Sequence, residues 1–123
     1  MLKRLVPFIN YKDVTTGINF FVGKLGFKII YTEGEPITTS IVERDNVQLF
    51  LQKNSHDVDP YEPAYRVEVV DIDDLYEEIK ERGHDAIHPN TDGISKMPWG
   101  AKEFAVLDPI ANTCITFYEY KSG

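Results

Sequence analysis

Apolar and polar positions along this chain run through the same pattern twice. Residues 4–11 alternate, with Leu5, Pro7, Ile9 and Tyr11 on one side and Val6, Phe8 and Asn10 on the other, the pattern of a strand buried on one face. Val14, Ile18, Phe21, Val22 and Leu25 then fall on one stripe at helical spacing, after Asp13 as the expected N-cap and before Gly26 as the expected stop. Strand-like stretches follow at 27–31, 38–43 and 47–52, with Asp45-Asn46 as the turn between the last two. The second round opens with a β-type run at 65–70. Ile72, Leu75 and Ile79 form its helical stripe, with Asp71 as N-cap and Gly83 as stop. Strand-like stretches are expected again at 85–88, 102–107 and 112–120, with Asp108-Pro109 turning the chain between the final pair.

This order is βαβββ twice, and the expected class is α+β. The modules are placed at about 1–54 and 63–123 within one domain of 123 residues, joined by a linker at 55–62 in a polar stretch that carries two prolines. A helix covers one face of each sheet, and the other faces are expected to curl into a shared concave groove. By strand parity Tyr65, Val67 and Val69 meet the helix, leaving Ala64, Arg66 and Glu68 for the open side. Residues 90–100 are expected to form a long loop carrying Pro98, Trp99 and Gly100.

Charge narrows the partners. Thirteen basic residues against twenty acidic ones give a formal net charge of −7, which argues against a phosphate backbone and would steer a cationic small molecule. The same surplus of acids also serves solubility. No apolar run reaches the roughly 20 residues of a membrane span, and the N-terminal run is too short and interrupted for a signal peptide, so a cytoplasmic protein without membrane or nucleic-acid partners is expected. A single cysteine, Cys114, excludes an intramolecular disulfide and a thiolate zinc cluster, and its apolar surroundings predict a buried, inert thiol.

No nucleophile–base arrangement and no glycine-rich phosphate loop can be assembled from these residues. Asp73-Asp74 and Glu77-Glu78 lie on the outer side of the second helix as a solvated face. The candidate chemistry is a set of aromatics, Phe8, Phe50, Phe117 and Trp99, with the carboxylates Glu68, Glu103 and Glu119 and the guanidinium of Arg66. Flat rings suit stacking and cation–π contact; a glutamate beside them serves as a cation partner or a general base. Core filling accounts equally well for the three phenylalanines.

Three runs carry a resemblance to a known family: Val6-Pro7-Phe8-Ile9-Asn10-Tyr11-Lys12-Asp13; Asn19-Phe20-Phe21 leading to Leu25-Gly26-Phe27; and Pro98-Trp99-Gly100-Ala101-Lys102-Glu103-Phe104 continuing to Asp108-Pro109-Ile110-Ala111-Asn112. They resemble the vicinal-oxygen-chelate superfamily of glyoxalases, extradiol dioxygenases and bleomycin-resistance proteins, and most of all its bleomycin-resistance branch. Ala111 departs from the glycine usual in that turn. The resemblance implies a homodimer and, in the family's enzymes, a divalent metal held from four strands. The matching positions are Val6, Phe50, Ala64 and Ile115, none of which donates an electron pair, so neither a metal nor another cofactor is expected. His56, His84 and His88 fall away from these strands.

The leading expectation is therefore a metal-independent, non-catalytic protein of the bleomycin-resistance type. It would sequester a planar, cationic small molecule in an acidic, aromatic-lined groove. A glyoxalase- or dioxygenase-like enzyme with displaced metal ligands, and a ligand-sensing or interaction module without a drug role, stand as alternatives.

Overall fold

The computed structural model describes residues 1–54, 64–89 and 93–120. The expected linker at 55–62 lies outside the described residues, as does the start of the 90–100 loop. The chain forms two compact units, Met1–Pro60 and Tyr61–Gly123.

The first unit runs β1 (Phe8–Tyr11), α1 (Val14–Ile18), β2 (Lys28–Glu33), β3 (Thr39–Arg44) and β4 (Val47–Lys53), with sheet order β1-β4-β3-β2. β1 pairs parallel to β4 and the other pairs are antiparallel. Asp13 caps α1, its carboxylate accepting from the Thr15 amide at 3.0 Å. The expected single helix continues differently: Asn19–Lys24 is a π-helix. Its wider turn lets Phe20 join Phe21 and Leu25 in the core, while Val22 of the expected stripe is only half-buried. These side chains and Val14 pack with Ile9, Tyr11, Val42, Leu49 and Leu51, a core in which each fully buried side chain is worth about 1.5–3 kcal/mol. Gly26 takes φ 73°, the left-handed stop expected of it.

The second unit repeats the topology: β5 (Ala64–Glu68), α2 (Ile72–Gly83), β6 (Ser95–Lys96), β7 (Ala101–Asp108) and β8 (Thr113–Tyr120), ordered β5-β8-β7-β6 with β5 parallel to β8. Ile72 and Ile79 of α2 are fully buried, and Tyr76 meets Phe104 edge-on at 5.2 Å. Residues 85–88 are not the second strand of this unit. His84–Ala86 is a 3-10 turn and Ile87 makes one bridge to Val106, because Gly83 is extended (φ −165°) instead of left-handed and α2 runs directly into the tighter turn. The strand role falls to Ser95–Lys96, inside the expected loop. The turn after β7 is held by Asp108, whose carboxylate accepts from the Ile110 amide at 3.0 Å, and Asn112 takes the left-handed φ of 55°. Among the described residues no helix is long and apolar enough to cross a membrane.

Candidate functional site

Sheet register sorts the candidate residues onto faces. In the first unit Phe8 pairs with Phe50, and Phe50 with Ile41, on the side away from α1. The two phenylalanine rings stack at 4.6 Å and 18°, and Phe8 stays 57% exposed. They form an open aromatic pair within this unit.

In the second unit Arg66 pairs with Thr116 and Glu68 with Tyr118, while Tyr118 pairs with Glu103 on its other side. Side chains at these positions share the sheet face opposite α2. Here the charges are already organised. Arg66 grips Glu103 with two hydrogen bonds, Nη2 to Oε2 at 2.7 Å and Nη1 to Oε1 at 3.3 Å. The Trp99 indole N–H donates to the same Oε2 at 2.9 Å. The Arg66 guanidinium lies over the Tyr118 ring, 4.4 Å from its centroid. Glu103 is buried, whereas nearly half of the Arg66 side chain is exposed.

The hairpin between β6 and β7 presents Trp99. Its tip, Met97-Pro98-Trp99-Gly100, is closed by the Gly100 amide on the Met97 carbonyl at 3.0 Å and the Met97 amide on the Ala101 carbonyl at 2.8 Å. Gly100 has φ 91°, a conformation a side chain resists, and Pro98 fixes its own φ. The stiff tip sets the indole within reach of Glu103, four residues along.

Electrostatics follow from these contacts. Hydrogen bonds from Arg66, then from the Trp99 indole, hold the Glu103 carboxyl below its ordinary range against the opposing push of burial. Glu103 in turn holds Arg66 more firmly protonated. The expected role of Glu103 as a partner for a ligand cation is thereby taken by a cation of the chain itself, and a carboxyl shifted downward and paired in this way is a weaker general base. Glu68 remains an exposed carboxylate on the same face.

Other expectations need correction. Phe117 is not on the open face. It pairs with Val67 and Phe104, lies 5.3 Å from the Phe104 ring and is buried on the α2 side. Glu119 shares that parity and caps α2, accepting from the Asp71 amide at 2.9 Å and the Ile72 amide at 3.1 Å. Asp71 therefore does not cap the helix with its own side chain; it takes a left-handed φ of 61° and leaves the first-turn amides to Glu119. The Ile72 and Asp71 amides hold the Glu119 carboxyl below its ordinary range. Ile115 also faces α2, and its neighbours Cys114, paired with Ala64, and Thr116, paired with Arg66, take the open face. Cys114 is partly exposed and pairs with Ala64 and Leu107 on the open side, not in the core.

Val6, Phe50, Ala64 and Ile115 offer no donor atom, and the open-face neighbours of Ile115 add only the Cys114 thiol and the neutral Thr116 hydroxyl, too few donors for a divalent metal. Among the described residues no group of three or more His, Cys, Asp or Glu side chains is arranged to hold one. Tyr118 was missed by sequence reasoning. Only the pairing of Glu68 with Tyr118 puts it on the face of Arg66 and Glu68.

The chain matches the family described as glyoxalase superfamily protein over residues 1–123. Bleomycin resistance proteins of Geobacillus stearothermophilus and Staphylococcus aureus are each 28% identical over 131 residues, spanning 95% of this chain and 97% of theirs. The bleomycin-binding protein from Streptomyces verticillus, solved with copper(II)-bleomycin, is 27% identical with a TM-score of 0.73 over 99% of this chain and 100% of that one. A glyoxalase-related enzyme from Clostridium phytofermentans shares the fold at 20% identity and a TM-score of 0.75, covering 98% and 97% of the two chains. With the repeated βαβββ units in place and the match running end to end, the chain belongs to the glyoxalase superfamily.

Proposed function

We propose that this protein is a non-catalytic, metal-independent binder of a bleomycin-type small molecule, acting in the cytoplasm. It takes a planar part of that ligand against Trp99 on the open face of the second unit. The observation that carries this reading is the Trp99–Glu103–Arg66–Tyr118 cluster: an exposed indole on a stiff hairpin, tied by its N–H to a carboxylate that is itself locked. Such preorganisation favours binding because little ordering is left for the ligand to impose. A catalytic role finds no support in the same atoms, since Glu103 is held ionised and paired.

The cationic part of the ligand is drawn by the net charge of −7 and by Glu68. Phe8 and Phe50 offer a second stacking surface on the first unit. The reading includes a homodimer, supported by the exposed apolar residues Phe8, Ile29, Ile30 and Tyr31; sedimentation equilibrium yielding only monomer at micromolar concentration contradicts that part.

A thermal melt tests the whole. Metal-free bleomycin at about 100 times its Kd is expected to stabilise the native state by about 2.7 kcal/mol, with or without a chelator. A melting temperature indifferent to bleomycin, or a shift abolished by the chelator, overturns the proposal.

A further inference from the structure

The Arg66 guanidinium is arranged as a flat stacking surface, and we infer that it selects a neutral planar ring and rejects a ring that itself carries positive charge. The inference rests on the proposed function, whose ligand has a planar part at Trp99. One edge of the guanidinium is fixed by two hydrogen bonds to Glu103, and one of its faces is occupied by Tyr118 at 4.4 Å. With that edge and that face engaged, 48% of the side chain is still exposed, and the opposite face is the one we assign to the ring. The Trp99 N–H meets the same Glu103 oxygen as Nη2, so the indole and the guanidinium are tied to one carboxylate oxygen.

A guanidinium held in plane loses little freedom when a ring settles on it, and its charge attracts the negative face of a π-system. The same charge repels a cationic ring. Glu103 offsets part of this charge but lies in plane along the guanidinium edge, so a ring stacked on the face has the positive charge as its nearer neighbour. Any positive group on the ligand must therefore sit off the stacked ring, where Glu68 at its exposed position is the available counter-charge.

Acridine and N-methylacridinium provide the test, being close in shape and different in charge at pH 8. Calorimetric titration of the dimer or monomer as purified, checked by quenching of Trp99 fluorescence, is expected to give at least tenfold tighter binding of acridine. Arg66→Lys keeps the charge and removes the plane. It is expected to weaken acridine at least fivefold while the melting temperature confirms a folded protein. N-methylacridinium binding as tightly as acridine, or acridine affinity unchanged in Arg66→Lys, overturns the inference, and the wild-type pair alone is decisive if the variant does not fold. Bleomycin titrated in parallel separates the two proposals. Bleomycin binding without an acridine preference overturns the stacking surface alone; an acridine preference without bleomycin binding overturns the proposed function alone.

Discussion

Replacing Trp99 by alanine and by phenylalanine separates what the indole does for the fold from what it does for a ligand. The indole is 55% exposed, so somewhat less than half of it contributes to folding. Full burial of a large apolar side chain is worth about 1.5–3 kcal/mol, which scales here to about 1 kcal/mol. The lost N–H bond to Glu103 adds about 1 kcal/mol and no more, because Arg66 continues to satisfy both carboxylate oxygens. Trp99→Ala is therefore expected to cost about 2 kcal/mol. That is well within the roughly 5–15 kcal/mol by which domains are stable, so the protein stays folded at 25 °C. Bleomycin affinity is expected to fall by roughly 1–3 kcal/mol, about 5- to 150-fold. Trp99→Phe keeps a stacking ring and loses only the N–H, so it is expected to recover most of the affinity while remaining about 1 kcal/mol less stable than wild type. Circular dichroism melts and calorimetric titration of all three proteins supply both quantities. Unchanged affinity in Trp99→Ala, or a variant that no longer folds, refutes the reasoning.

Two further outcomes test the frame around the site. Glu103 and Glu119 both have carboxyls held below their ordinary range in the native state, so their stabilisation is complete above the unfolded value and is lost as pH falls through the native one. Glu103→Gln is expected to flatten the acid limb of stability in urea unfolding between about pH 6 and pH 3; an unchanged slope contradicts the ion pair. At Gly17 an added Cβ would overlap the Cε2 and Cζ atoms of the buried Tyr11 ring. Crowding of about 1–3 kcal/mol outweighs the roughly 1 kcal/mol that alanine gains in a helix, so Gly17→Ala is expected to lower the melting temperature. An increase would show that the ring has room to move.

The repeated module was legible because strand parity and helical stripes are strong where one face is buried. Ile9 and Tyr11 face inward and Phe8 outward as their alternation implied, and the same parity sorted Arg66 and Glu68 from Val67. β8 misled the reading because both its faces carry apolar side chains. Ile115 and Phe117 on one side and Cys114, Thr116 and Tyr118 on the other give no contrast, so Phe117 and Glu119 were assigned to the wrong face. The π-helix was hidden because the stripe of Ile18, Phe21, Val22 and Leu25 fits an α-helix, and only the burial of Phe20, outside that stripe, marks the change of pitch. The coupling of Arg66, Glu103 and Trp99 joins residues 37 and 4 positions apart. Only the register of β5, β8 and β7 brings them together, and neither composition nor spacing encodes that directly.

Trp99 is the only tryptophan in the chain, so its indole N–H gives a single resolvable signal in a nitrogen–proton correlation spectrum. Titrating metal-free bleomycin into uniformly nitrogen-labelled protein while following that signal tests the central claim most directly. The account predicts that the indole resonance shifts and saturates at the same bleomycin concentration that saturates calorimetric binding. A resonance that stays put while calorimetry reports binding would place the ligand elsewhere on the molecule and contradict the account.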